Sequence, residues 1–258
     1  GLVVVTALLG YVTSRQVPPA PPIVVEDPRA FESLANLKRL PGLSNGLPRA
    51  LMMLPVFVFW SVRSSVKLVR NTMHDREVFY AILAISFFWT IGTVLFIQFP
   101  PLAKNVLLAS KEVASLFLVI FSIGVAIGSV AVNALLKGDV SARHAPASVL
   151  AMGLSVACFY LVCRVWSVQV DGGLMGVREF LAQPLAIPVL VSLLFIAIAG
   201  GMFVVPLYAF LTTKVDPGQA ARTVAANNIV NSGAMVVGAL IAGGLSSAGV
   251  PLVEQVWL

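Results

Sequence analysis

Long apolar runs separated by short polar breaks set the pattern of this chain. Five stretches reach the length of about 20 mainly apolar residues that crosses a bilayer core. They lie at about 78–99, 113–136, 147–166, 186–211 and 223–247. Two further runs are incomplete: residues 1–14 (GLVVVTALLGYVTS) are apolar from the first position, and 250–258 (VPLVEQVWL) begin a run and stop. The start lacks the basic region and small-residue cleavage site of a signal peptide. Both ends are therefore expected to be cut through hydrophobic helices, and the chain to be a fragment of a larger bundle.

Composition removes the water-soluble alternatives. Of the 258 residues, 59% are hydrophobic and 11% charged, against about 25% charged in a soluble domain. That leaves too little polar material for the skin a soluble fold of this length requires. A soluble enzyme, a nucleic-acid reader and a disordered tail all fit poorly. Cys158 and Cys163, the only two cysteines, are separated by about 7.5 Å of helical rise, too far for a disulfide.

Charge gives an orientation. With strict alternation of sides, 13 of the 17 basic residues fall on one side: those of 15–76, with Lys137, Arg143, Lys214 and Arg222. Lys104, Lys111, Arg164 and Arg178 fall on the other. The richer side reads as cytoplasmic. The net charge of +6 then reflects topology and anionic headgroups, not nucleic acid.

The connection 15–76 has two parts. Residues 16–50, with VPPAPP, Pro41 and Pro48, read as an irregular linker. In 51–72, Phe59, Val62, Val66 and Val69 recur at helical spacing, and Arg63, Lys67 and Arg70 occupy an adjoining sector about 90° away. This suits a helix at the inner interface, its stripe in the acyl boundary and its cations among headgroups. Pro55 leaves a reentrant or ordinary pre-membrane segment as the rival.

Candidate chemistry is sparse. No hydrolase, kinase, dinucleotide or zinc motif is present, so no catalytic residue, metal ligand or cofactor is assigned and the chain is read as non-enzymatic. His74 and His144 fall in turns beside charges and read as solvated. No Asp or Glu lies deep in a span, so the intramembrane relay typical of proton-coupled carriers is not supplied. Gly124, Gly128, Gly200, Gly201, Gly233, Gly238, Gly243 and Gly244 suit close helix packing first, and are compatible with the gating of a rocking carrier. Pro206 is expected to bend its helix. Trp89, Phe87, Phe88, Phe96, Tyr160 and Tyr208 read mainly as packing or interface anchors.

The sharpest feature runs from Arg222 to Gly244. Asn227 and Asn231 share a helix face, with Asn228 and Ser232 in the next row. Amides turned to lipid would lose their partners, so these must meet protein or an aqueous cavity. Two readings stand: hydrogen bonding between helices, or the lining or gating of a polar passage. Arg222, just below, suits an anionic phosphate or the inner leaflet, with weak help from its position near a helix N-terminus.

The run 200–209 (GGMFVVPLYA) followed by 222–231 (RTVAANNIVN) resembles the second half of lysophospholipid transporters of the major facilitator superfamily. FFWTIG at 87–92, LFLVIFSIGVAIGS at 116–129 and the PPAPP linker follow the same order. The resemblance covers nearly the whole chain. It implies an all-α integral membrane bundle of the major facilitator type, from the end of span six (1–14) through a cytoplasmic inter-half linker (15–76) to an incomplete C-terminal bundle (77–258).

It also implies inward movement of lysophospholipid, notably lysophosphatidylethanolamine, across the bacterial inner membrane for reacylation, by facilitated alternating access. The implied partners are membrane phospholipid, an N-terminal transporter half, and an acyltransferase with an acyl-carrier-protein synthetase, sometimes fused behind the carrier. Of the family's Gly/Asp/Arg gating motif only Lys137-Gly138-Asp139 and Arg143 stand here, in a shifted pattern. Expected roles are polar lining or gate contacts for Asn227, Asn228 and Asn231, headgroup or inner-gate contact for Arg222, and a moving helix carrying Phe203 and Pro206. A carrier of small solutes or drugs is the alternative, ahead of a non-transport scaffold or a lipid acyltransferase.

Overall fold

The computed structural model describes residues 47–137, 141–167 and 173–257, with only the backbone of 47–58, Trp60 and Pro217. The expectations for 1–14 and 16–46, and for Gly138 and Asp139 in the gating motif, lie outside those residues. Residues 59–258 form one compact unit; of the other, 1–58, the description covers only helical backbone from 47 onward.

Five long helices coincide with the five predicted spans: α2 (Arg76–Asn105), α3 (Lys111–Leu136), α4 (Ala145–Arg164), α6 (Ala186–Thr213) and α7 (Pro217–Ser247). They are preceded by α1 (Leu47–Thr72), and the short helices α5 (Val177–Leu181) and α8 (Leu252–Trp257) complete the described chain. Local chemistry sets several boundaries. The Asp75 side chain accepts from the backbone N–H of Glu77 at 2.8 Å and of Val78, fixing the start of α2. Lys137 closes α3 in the left-handed conformation, φ 52°. Pro146 and Pro217 occupy first-turn positions of α4 and α7, where their missing N–H costs nothing.

Two span boundaries differ from the sequence reading by six residues, and one of them is the start of α7 at Pro217 rather than at 223. The first span was expected to stop at 99, before Pro100-Pro101, yet α2 continues through both to Asn105. Each proline removes one intrahelical bond, but packing holds this end, since Phe99, Leu102 and Ala103 are fully buried. The helix over 51–72 likewise begins earlier, at Leu47, and runs through Pro55.

Short connections make successive spans antiparallel. The described helix ends that carry Arg76, Lys137, Arg143, Lys214 and Arg222 therefore gather at one end of the bundle, called here the basic end. The central element is α6, which packs against α3, α4 and α2, while α2 also packs along α7. A small-residue seam lets α3 approach α6. A Cβ placed on Gly124 would lie 2.5 Å from that of Ala197, one on Gly128 would collide with the Ile198 carbonyl, and one on Gly201 would lie 2.5 Å from the Val125 oxygen. Gly200 meets the Phe88 ring, and Gly238 meets Thr90 across the α2–α7 contact. Gly233, Gly243 and Gly244, grouped with them in the sequence reading, face open space.

At the far end, two connections are pinned together: Ser110 N–H donates to the Met175 carbonyl and Met175 N–H to that of Leu108, each at 2.8 Å. Trp166 stacks on Phe180, which meets Phe117 edge-on. The outer surface is apolar along the spans, with Val130, Leu150, Leu154 and Leu240 more than two-thirds exposed. Such side chains face outward without cost only in hydrocarbon. With five helices long and apolar enough to cross a bilayer, the chain is a multi-span, all-helical membrane protein.

Candidate functional site

Polar side chains inside these spans are few, so the place where they meet is informative. Ser86 and Trp89 lie one turn apart on α2, Tyr208 two residues after Pro206 on α6, and Asn227 and Asn231 one turn apart on α7. All five converge within about one and a half to four turns of the basic ends of their helices. Ser86 Oγ donates to Asn231 Oδ1 at 2.7 Å, a bond wholly inside the protein. The Tyr208 hydroxyl oxygen receives Trp89 Nε1 at 3.0 Å, Asn231 Nδ2 at 3.3 Å and Asn227 Nδ2 at 3.4 Å. Asn227 Nδ2 also points to Asn228 Oδ1 at 3.5 Å.

The cluster is short of one partner. A phenolic oxygen offers two lone pairs, yet three N–H groups are aimed at that of Tyr208. Meanwhile Asn227, with no exposed surface, has an amide oxygen that accepts nothing. Turning the Asn227 amide over would let Tyr208 donate to that oxygen and match two donors to two lone pairs. The Asn227 NH₂ would then be the buried group without a bond. Either way, one amide function in the interior lacks a mate, at a typical cost of about 1–3 kcal/mol. The cluster is not sealed: Trp89 and Asn228 are exposed and Tyr208 is half-buried.

The structure thus joins Asn227 and Asn231, as their spacing on one face suggested, and sets Asn228 on the open side. Phe203 and Pro206 are not part of the polar cluster. Both are buried, and Phe203 packs with Val204, Leu207, Ile85 and Phe88 in an apolar core beside it. Arg222 is exposed on the second turn of α7. Ser86, Trp89 and Tyr208 were missed as site residues. From sequence, Trp89 and Tyr208 read mainly as packing or interface anchors, although a phenol and an indole placed inside a span also carry polar groups that need partners.

A second polar contact lies toward the far end. Gln98 Nε2 donates to Gln255 Oε1 at 2.6 Å, Ser246 Oγ donates to the same oxygen at 3.2 Å, and Gln255 Nε2 donates to the Val250 carbonyl at 2.7 Å. Nearby, Arg164 donates to the Tyr160 hydroxyl at 2.8 Å, and that hydroxyl donates to the Glu254 carboxylate at 3.1 Å. Every described acid stands at a helix end or in a connection, and no group of three or more His, Cys, Asp or Glu able to hold a metal exists among the described residues. His144 accepts from Arg143 Nε at 3.1 Å.

In comparison with known proteins, no family model, curated protein or solved structure matches the chain.

Proposed function

We propose that this chain belongs to a lysophospholipid transporter of the major facilitator type, moving lysophosphatidylethanolamine-like lipid inward across the bacterial inner membrane. The observation that carries this reading is the under-partnered cluster of Ser86, Trp89, Tyr208, Asn227 and Asn231, shared by three spans of a largely apolar bundle. A purely structural knot gains most when every member is satisfied. One left short of a partner, and open at Trp89 and Asn228, suits exchange of its bonds with a passing polar headgroup.

In this reading Asn227, Asn231 and Tyr208 meet the headgroup, Asn228 stands at the mouth, and Arg222 draws the phosphate toward the basic end. The acyl tail stays against apolar helices or lipid. A lined path lowers the cost of carrying polar groups through hydrocarbon, and no covalent step is involved. Movement is by alternating access, with α6, bearing Phe203 and Pro206, shifting along the seam of Gly124, Gly128 and Gly201. Transport is downhill, in keeping with acids confined to helix ends among the described residues. The product is reacylated by an acyltransferase and acyl-carrier-protein synthetase, fused to the carrier or beside it.

The test is uptake of labelled lysophosphatidylethanolamine by proteoliposomes holding the full-length protein. Saturable uptake that falls at least about tenfold in Asn227→Ala, Asn231→Ala and Arg222→Ala is expected, since each loses a polar contact worth about 1.4 kcal/mol or more if it acts in the path. Wild-type rates in all three variants sink the site. Saturable preference for a sugar, amino acid or cationic drug over lysolipid replaces this reading with a small-solute carrier.

A further inference from the structure

The C-terminal half of α1 carries a feature that substrate passage does not use. Arg63, Lys67 and Arg70 fall within about 60° of one another around the helix, and all three are exposed. With Val66, Asn71 and His74 they line a hollow of about 720 Å³. None of the lining residues is acidic. The nearest carboxylate in sequence, Asp75, is engaged in capping α2 through its bonds to Glu77 and Val78. On the adjoining sector Phe59, Val62 and Val66 are 57–65% exposed. Val62, Val66 and Val69 also line a second, largely apolar hollow of about 570 Å³ with Ile229 and Val230 of α7. Cationic and apolar surface therefore lie side by side on one amphipathic helix.

We propose that this hollow is a binding site for the headgroup of an anionic phospholipid, with the lipid's acyl chains lying along Phe59, Val62 and Val66. Guanidinium and ammonium groups supply the donors that phosphate oxygens require, and Asn71 adds a neutral donor. The apolar sector selects the source of the phosphate. A free ion gains nothing from Phe59, Val62 and Val66, whereas a lipid fills both surfaces at once. A lipid bound here ties α1 to the leaflet at the place where the chain enters α2, so leaflet charge acts on the first span directly.

The experiment uses the full chain in phosphatidylcholine nanodiscs titrated with phosphatidylglycerol, reading hydrogen exchange of the 61–74 amides. Phosphatidylglycerol is expected to slow exchange there with a saturable midpoint. Each Lys or Arg near an anionic surface is worth about fivefold in affinity, so R63Q/K67Q/R70Q raises that midpoint about a hundredfold. High salt does the same by screening. Unchanged exchange over 81–98 in α2 shows that the variant remains folded; if it does not, Lys67→Gln alone, with an expected shift of about fivefold, takes its place. Equal protection in pure phosphatidylcholine overturns the proposal in favour of apolar docking alone. Equal protection by inorganic phosphate at matched concentration assigns the hollow to a free anion instead. A wild-type midpoint in the neutralised variant overturns it outright.

Discussion

Ser86 and Asn231 are 145 positions apart in sequence, yet the serine hydroxyl donates to the asparagine amide oxygen over 2.7 Å in the interior of the bundle. The bond joins α2 to α7 and aims the Asn231 NH₂ at Tyr208. Hydrogen bonds between membrane helices contribute about 0.6 kcal/mol on average and up to about 1.7 kcal/mol. This one is short and shielded, so a double-mutant cycle of Ser86→Ala and Asn231→Ala is expected to give a coupling in the upper part of that range. Denaturant unfolding in mixed micelles measures it, and additive losses would mean that the pair contributes no coupling.

Tyr208→Phe deletes the one oxygen toward which Trp89, Asn227 and Asn231 all point. The ring stays, so apolar packing is kept and the change is confined to hydrogen bonding. Under the proposed function, lysolipid uptake is expected to drop at least about tenfold, the effect of losing roughly 1.4 kcal/mol of polar contact. Helical content by circular dichroism should stay at the wild-type value. Wild-type uptake in this variant would return Tyr208 to the role of a packing aromatic.

The glycine seam gives a contrast within one chain. Any side chain at Gly128 runs into the Ile198 backbone, which yields only if α3 and α6 move apart. Gly128→Val is expected to cost about 1–3 kcal/mol, as overpacking does elsewhere, and to lower the melting temperature of the detergent-solubilised protein. Gly233 has nothing within 4 Å of its would-be Cβ. Gly233→Ala is therefore expected to be neutral or slightly stabilising, because alanine is the better helix former. A melting-temperature loss at Gly233 equal to that at Gly128 would count against the seam.

The spans were legible because the signal for them is local. Twenty apolar residues identify a membrane helix wherever it packs, and the helix ends fall within a few residues of the charge breaks on either side. Pro100 and Pro101 defeated that logic, since a proline pair reads as a stop, while the buried side chains of Phe99 and Leu102 carry the helix on. The Asn227–Asn231 face was legible from i, i+4 spacing. The residues it meets were not. No periodicity along α2 or α6 states that Ser86 and Tyr208 will face α7, because that depends on how three helices rotate against one another. Gly233 shows the same limit: a small residue in a span marks a possible contact, and only the packing shows which of them is used.

Gln98 and Gln255 test how far polar pairing, rather than apolar packing, holds the end of the described chain. Both are buried, and Gln255 also accepts from Ser246 while donating to the Val250 carbonyl. Gln255 is thus the hub and Gln98 one of its arms. Gln98→Leu removes a single donor and leaves Gln255 Oε1 still bonded to Ser246, so a loss of about 0.5–1.5 kcal/mol is expected. Gln255→Leu strips partners from Gln98, Ser246 and the Val250 carbonyl together. A larger loss is expected there, because the buried Gln98 amide is left unpaired at a desolvation penalty of about 1–3 kcal/mol, and the half-buried Val250 carbonyl loses its partner as well. Denaturant unfolding compares the two, while hydrogen exchange of the Val250–Trp257 amides reports whether α8 comes loose. Faster exchange over α8 in Gln255→Leu and near-wild-type exchange in Gln98→Leu is the expected pattern. Equal effects in both variants would mean that the Gln98–Gln255 bond itself, not the wider set centred on Gln255, fixes α8 against α2.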